Sequence, residues 1–169
     1  MYKLPKLVFA SMIVFLSCDL LLAQENNFNV YDPDLDGKIQ VSESLKAIEG
    51  QDKHLLIMIG GNWCKWCRVF DKFSHENSKI DSTLSRNYKV VHVNYSKIDP
   101  DEELFEQLDF PQRFGFPVFV IMNSKGERLH TQNTVYLEEG KAYSEKNVLN
   151  FLNDWSPNAL KAENYKKDK

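Results

Sequence analysis

Short apolar runs alternate with amphipathic segments along most of the chain. Three of them are almost continuously apolar and are bounded by glycine, proline or polar residues, as expected of strands buried on both faces. These predicted strands are residues 54–59, 89–95 and 116–122. Elsewhere apolar residues recur at helical spacing, which predicts helices. The predicted helices include residues 39–50, 68–73, 80–87, 101–108 and 144–155.

A turn at residues 123–126 separates the third strand from residues 127–132, which predicts an antiparallel hairpin. Helices therefore alternate with two strands before the hairpin, and a helix closes the chain. Such an order predicts parallel strands joined by helical crossovers, with an antiparallel pair added. We predict an α/β fold with a central mixed β-sheet flanked by helices. Ser144 is the expected N-cap of the last helix, and Pro157 stops it.

The first residues form a different kind of segment. Lys3 and Lys6 precede an apolar stretch at residues 7–16, the layout of a secretory signal that is too short to span a bilayer. Cleavage after Ala23 would leave Gln24 as the first residue of a soluble exported protein. The segment 1–23 is therefore predicted to be a signal peptide.

Two alternatives to this cleavage remain open. Residues 15–18 resemble a lipoprotein box, in which the signal is 1–17 and Cys18 is lipidated. An uncleaved anchor helix is disfavoured because Asp19 interrupts the apolar stretch. Export places the protein in the periplasm or another extracytoplasmic compartment, soluble or lipid-anchored, with membrane contact only if Cys18 carries lipid.

Composition limits the remaining organisation. The chain has 169 residues, of which 43% are hydrophobic and 27% charged, enough for one ordinary folded domain. The net charge of -3 favours neither nucleic acid nor an anionic membrane surface as a partner. We predict an N-terminal extension at 24–38, one domain at 39–156 and a polar tail at 157–169.

Cys64 and Cys67 are the two cysteines beyond the signal region. No histidines follow them at zinc-ligand spacing, and Arg68 stands where a c-type haem attachment needs histidine. A structural disulfide would close a loop too short to constrain the unfolded chain much. A dithiol at this spacing is better suited to redox exchange.

The residues around this pair carry a resemblance. Trp63–Cys64–Lys65–Trp66–Cys67 at a strand-to-helix turn, with Gly-Phe-Pro at 115–117 before a hairpin, resembles the thioredoxin superfamily over about residues 39–155. It is similar to exported single-domain thioredoxin-like proteins and to the C-terminal domain of the transmembrane disulfide interchange reductase. The resemblance implies a thioredoxin fold and exchange with protein thiols and disulfides. It also implies electrons from a membrane donor and no organic cofactor.

The two cysteines have different expected roles. Unpaired N–H groups at the start of a helix stabilise a thiolate, so Cys64 is the predicted nucleophile, exposed at the turn. Cys67, one turn further on, is the predicted resolving thiol and more shielded. Lys65 and Arg68 either help to hold the thiolate or are ordinary solvated side chains.

By resemblance, four further residues bind substrate. Trp63 shapes the surface beside the thiol, and Trp66 offers apolar contact. The backbone of Phe116 pairs with an extended substrate, and Pro117 is cis and packs against the cysteines; an ordinary trans proline opening a strand is the alternative.

One position departs from the family pattern. Reductases of this family commonly carry a buried acid six residues before the first cysteine, where this chain has Met58. His92, two residues before Asn94, falls where the family has a lysine close to that acid. His92 is therefore a candidate proton relay, the alternative being a core or edge histidine.

A second motif lies before the domain. Asp32, Asp34, Asp36 and Glu43 match the oxygen-ligand positions of a calcium loop. No long helix precedes it and no partner loop exists, so a capped acidic turn is favoured and no metal is expected. The sequence thus predicts an oxidoreductase, with reduction favoured over oxidation or isomerisation. The alternative is a binding module, lipid-anchored or calcium-stabilised, that does not turn over.

Overall fold

The computed structural model describes residues 28–166, so the predicted signal peptide and Cys18 lie outside the described residues. None of the helices in residues 28–166 is long and apolar enough to cross a membrane. Short 3-10 helices join several of the elements. The main elements are α1 (Gly37–Ala47), β1 (His54–Gly60), α2 (Lys65–Glu76), α3 (Ser78–Asn87), β2 (Tyr88–Asn94), α4 (Glu102–Gln107), β3 (Val118–Met122), β4 (Arg128–Asn133), β5 (Glu138–Glu139), β6 (Ala142–Tyr143) and α5 (Glu145–Asp154).

Four strands form one sheet in the order β2-β1-β3-β4. β1 and β2 are parallel, whereas β3 is antiparallel to both β1 and β4. The predicted mixed sheet and hairpin are therefore confirmed. β5 and β6 form a separate hairpin that was not predicted, because two-residue strands show no periodicity.

The sheet is covered on both faces, which explains why its central strands are apolar at consecutive positions. Alternate residues of β1 point to opposite sides: Leu55, Ile57 and Ile59 pack towards α1 and α4, whereas Leu56 and Met58 pack towards α2, α3 and α5. The carboxyl end of β1 then leads directly into the turn that carries Cys64.

α1 differs in phase from the prediction. The Asp36 carboxylate caps the helix by accepting from the Ile39 N–H at 3.0 Å, so the helix begins at Gly37. This start places Gly37, Val41 and Ser44 on the buried face and leaves Ile39 57% exposed. The helix thus begins two residues before the predicted start at residue 39.

Two smaller expectations also differ from the structure. The third strand begins at Val118 rather than at residue 116, because Pro117 has no N–H to donate to the ladder. Ser144 precedes α5, but its hydroxyl makes no capping hydrogen bond. Neither difference moves the elements that carry the cysteines.

Candidate functional site

Cys64 and Cys67 form a disulfide at the start of α2, with their Cα atoms 5.2 Å apart. Cys64 is the N-cap, and its sulfur accepts a hydrogen bond from the Cys67 N–H at 3.1 Å. The positive end of the helix therefore points at the Cys64 sulfur. A helix start of this kind stabilises negative charge, as a thiolate nucleophile requires.

The expected exposure of Cys64 was wrong. Its residue surface is only 5% exposed, close to the 3% of Cys67. The reason is a small apolar cluster in which both cysteines pack with Tyr31, and in which Trp66 and Phe116 complete the cover. The disulfide is therefore covered by these aromatic side chains.

The accessible rim of the site is aromatic. Trp63 is 43% exposed, and its ring stands edge-on to Phe116 at 5.4 Å between centroids. The Lys97 ammonium lies 4.0 Å from the centre of the Trp63 ring, and Phe116 packs on Tyr95. The rim therefore offers apolar contact beside one positive charge.

The other predicted site residues lie around the same turn. Trp66 is half-buried and stands edge-on to Tyr143. The Phe116–Pro117 peptide bond is cis, and buried Pro117 lines the same cavity as Cys67. Four residues predicted to bind substrate are thus brought together within this site: Trp63, Trp66, Phe116 and Pro117.

The two cations of the motif differ in placement. Lys65 is exposed directly beside Cys64. Arg68 reaches back along the turn, and its guanidinium donates to the Asn62 carbonyl at 3.2 Å. Arg68 therefore fixes the loop before the cysteines as well as adding charge.

Residues 29–31, here called the strap, lie against the loop that precedes the cysteines and contains Asn62. The Asn62 side chain accepts from the Tyr31 N–H at 3.1 Å and donates to the Tyr31 carbonyl at 2.6 Å. Its amide also donates to the Asn29 side chain at 2.8 Å. Asn62 thus fixes the strap against the loop and drives Tyr31, 2% exposed, onto the cysteines.

A cavity of about 330 Å³ opens behind Cys67. Met58 and His92 face it from neighbouring strands and are direct partners in the β1–β2 register. The His92 ring stands edge-on to Tyr31, with centroids 5.2 Å apart. The predicted relay histidine therefore lies in the same cavity as the sulfur of Cys67, and its ring contacts Tyr31.

Sequence reasoning missed an acid in this cavity. Asp71, one helical turn after Cys67, lines the cavity from α2 rather than from the strand. Burial raises the pKa of Asp71, and the neighbouring His75 opposes that shift. The spacing of four residues from Cys67 on one helix face was the signal that could have indicated it.

The pH dependence of folding should report on His92. Burial, with a smaller contribution from His75, lowers the pKa of His92 to about 4. A histidine in the unfolded chain titrates near about 6.5, so the unfolded state takes up the proton first as the pH falls. We expect protonation of His92 in the unfolded chain to lower the free energy of unfolding by about 2 kcal/mol between pH 7 and pH 5.

Urea unfolding at both pH values checks this expectation by comparing the wild type with His92→Gln. His54, whose pKa burial also lowers, is present in both proteins and cancels in the difference. The variant should lose less stability than the wild type over this interval. The same pH dependence in both would show that His92 titrates alike in the folded and unfolded chains.

The acidic motif before α1 has a structural use. Asp36 caps the helix, and the Asp32 carboxylate accepts from the Asp34 N–H at 2.9 Å. Glu43 lies exposed on α1. Within residues 28–166, no group of three or more histidine, cysteine or acidic side chains is arranged to hold a metal ion.

Comparison with known proteins supports the assignment of the fold. A family model described as "Thioredox_DsbH: Protein of unknown function, DUF255" matches residues 32–166. No curated protein sequence gives a significant match. The match covers the sheet, all five helices and both cysteines.

Two solved structures are similar to this chain. A disulphide isomerase from Xylella fastidiosa Temecula1 is 29% identical, with a TM-score of 0.64 over 73% of this chain and 94% of that one. The oxidised C-terminal domain of Neisseria meningitidis DsbD is 15% identical, with a TM-score of 0.49 over 69% of this chain and 93% of that one. The first of these supports the thioredoxin fold that the sequence predicts.

Proposed function

Because the chain belongs to the Thioredox_DsbH (DUF255) family of thioredoxin-like proteins, we propose that it reduces protein disulfides outside the cytoplasm. The observation that carries this proposal is the Cys64–Cys67 disulfide at the start of α2, with the helix aimed at the Cys64 sulfur. The family and this pair make the chain a thioredoxin-like thiol–disulfide oxidoreductase. The direction, the compartment and the residue roles are our proposal.

In the proposed cycle the reduced Cys64 thiolate attacks one sulfur of a substrate disulfide, and the other substrate sulfur leaves as a thiolate. Cys67 loses its proton towards water and attacks the Cys64 sulfur. The mixed disulfide breaks, the second substrate thiolate leaves, and Cys64–Cys67 is oxidised while the substrate gains two electrons. Protons from water neutralise the two substrate thiolates, and a membrane donor restores the dithiol.

His92 has a proposed part in this cycle as the relay for the proton of Cys67. The ring shares a cavity with Cys67 and, because burial lowers its pKa to about 4, is unprotonated at neutral pH. A base this weak holds the proton only in passing from Cys67 to water. If the relay operates, His92→Gln slows release of the mixed disulfide. An unchanged release rate would overturn this role.

The proposal that this protein reduces its substrates, rather than oxidising them, depends on the residues between the two cysteines. Strong oxidants of this kind stabilise their reduced form. Here Trp66, an uncharged and half-buried aromatic, occupies the position next to Cys67, and the flanking cations Lys65 and Arg68 are exposed to solvent. Such surroundings stabilise a thiolate less than a buried positive charge would.

The export proposal rests on the signal-like segment 1–23 and on the stability of disulfides in oxidising compartments. Mass spectrometry of the mature N-terminus from cells tests it. A chain starting at Gln24 or at a lipidated Cys18 supports export. An intact Met1 would contradict cleavage.

Two measurements test the redox proposal. The purified chain should accelerate the reduction of insulin by dithiothreitol, and the same chain with both thiols alkylated should not. Equal rates would favour the binding-module alternative. The potential of the pair, measured against glutathione, should lie near the value of about −270 mV typical of thioredoxin rather than near the value of about −120 mV typical of a strong periplasmic oxidant.

A further inference from the structure

Tyr31 is the buried polar group of the site for which the sequence gave no role. It comes from the strap, ahead of the predicted domain, and packs directly on Cys64 and Cys67. The residue is only 2% exposed. A hydroxyl on a ring that packs directly on two sulfurs is placed to interact with them.

Gly60 shows how the two groups meet. A side-chain carbon placed at Gly60 would overlap with the Cys67 sulfur and would lie 3.0 Å from the Tyr31 hydroxyl oxygen. The sulfur and the hydroxyl therefore both lie over the bare Cα of this glycine.

We propose that the Tyr31 hydroxyl donates a hydrogen bond to the Cys67 thiolate and so holds the resolving sulfur in its attacking form. This proposal rests on the proposed redox cycle. Met58, which lines the same cavity where the family commonly has an acid, is an uncharged thioether and has no hydrogen bond to donate to the sulfur. A hydrogen bond from a neutral donor to a buried anion is stronger than one between neutral groups.

Burial, with a smaller contribution from the charge of Asp71, raises the pKa of Tyr31. Tyr31 therefore remains a donor across the neutral range and does not take the proton of Cys67. In the resolving step the Cys67 proton goes to water, Cys67 bonds to Cys64, and the substrate sulfur leaves with the electron pair. In the reverse step, when a donor thiol opens Cys64–Cys67, the same hydroxyl stabilises the departing Cys67 thiolate.

Other titratable groups line the cavity and bear on any pH profile. They are Asp71 and His75 of α2, Asp81 of α3, Tyr88, Lys89 and His92 of β2, and Lys53 before β1, and the charge of Tyr143 of β6 also acts on Tyr31. None of them is altered in Tyr31→Phe, and only Tyr143 is altered in the control. Cys64 does not titrate in the experiment, because its sulfur is held in the mixed disulfide.

The test uses Tyr31→Phe, which keeps the ring and removes only the hydroxyl. Reduced protein is mixed with 5,5′-dithiobis(2-nitrobenzoate), and stopped-flow absorbance follows release of the second thionitrobenzoate as Cys67 attacks. The midpoint of the pH–rate profile reports the titration of Cys67. We expect the midpoint to rise by about one pH unit and the rate at pH 7 to fall about tenfold.

The rate at high pH, where Cys67 is fully ionised, separates a chemical role from a structural one. If only the hydrogen bond is lost, the rate at high pH stays at or above the wild-type value. Disturbed packing instead lowers the rate at every pH. Tyr143→Phe is the matched control, because Tyr143 is also buried and packs on Trp66 but lies outside the cluster with the cysteines. Its midpoint should stay at the wild-type value.

An unchanged midpoint in Tyr31→Phe, or an equal shift in Tyr143→Phe, would overturn the proposal, as would a uniform loss of rate. The test is independent of the insulin assay. A wild-type chain that releases thionitrobenzoate but does not accelerate insulin reduction would refute the proposed function and leave the Tyr31 result interpretable.

Discussion

Replacing Cys67 by alanine is expected to arrest the protein as a mixed disulfide with its substrate. The two sulfurs are bonded and their Cα atoms are 5.2 Å apart, so resolution is intramolecular and needs no large movement. Intramolecular groups in such a position react as if present at about 10⁵ M or more, which millimolar external thiol does not replace. Turnover of insulin should therefore fall at least about 100-fold.

Mass spectrometry under non-reducing conditions should show the trapped adduct of Cys67→Ala with an insulin chain. Cys64→Ser is the matched control, because it keeps Cys67 but lacks the sulfur at the start of α2 that attacks first. That control should lose turnover to the same extent without forming the adduct. If Cys64→Ser formed the adduct and Cys67→Ala did not, Cys67 would be the nucleophile and Cys64 the resolving thiol.

Replacing Gly60 by alanine is expected to damage both the stability and the redox centre. The added carbon overlaps with the Cys67 sulfur and approaches the Tyr31 hydroxyl oxygen and ring carbon at 3.0 and 3.2 Å. Neither neighbour is free to retreat, because the sulfur is held in the disulfide and Tyr31 is held by Asn62. We expect a loss of about 3 kcal/mol in the free energy of unfolding, the upper part of the usual cost of overpacking.

Urea unfolding of the oxidised protein measures this loss, and Gly61→Ala is the neighbouring control. A side-chain carbon at Gly61 meets the Trp63 indole instead. Because Trp63 is 43% exposed, its ring can turn outward at the cost of its contacts with Phe116 and Lys97, and the control should lose less stability. Equal losses in the two variants would show that strain in the shared loop, rather than contact with Cys67 and Tyr31, sets the cost.

Much of the fold could be predicted from the sequence, because its strands are buried on both sides. The apolar residues 54–59 differ from the observed β1 by one residue, and the motif at Cys64 fell at the predicted strand-to-helix turn. The phase of α1 could not be predicted from apolar spacing. A single hydrogen bond from Asp36 fixes the start of that helix and turns Ile39 to solvent.

The site was harder to predict than the fold. Cys64 and Cys67 are identified by their spacing, but the burial of Cys64 results from side chains distant in sequence. Tyr31 lies in a polar stretch with scattered aromatic residues, where no period marks it as buried. Its position depends on Asn62, 31 residues further on, whose side chain fixes the strap through hydrogen bonds. Contacts between residues so far apart in sequence leave no signal in the local pattern of apolar and polar residues.

The strap also bears on where this protein can be cut. The pattern of apolar residues predicts that the domain begins at residue 39, and the family match begins at residue 32. Tyr31 and the rest of the strap precede both boundaries, yet they cover the sulfurs. A fragment or fusion that begins at residue 32 would keep every strand and helix described here while losing one wall of its redox centre. One that begins at residue 39 would also lose the Asp36 cap and the first two residues of α1. The part of this chain that forms the strands and helices therefore begins later than the part that the redox centre requires.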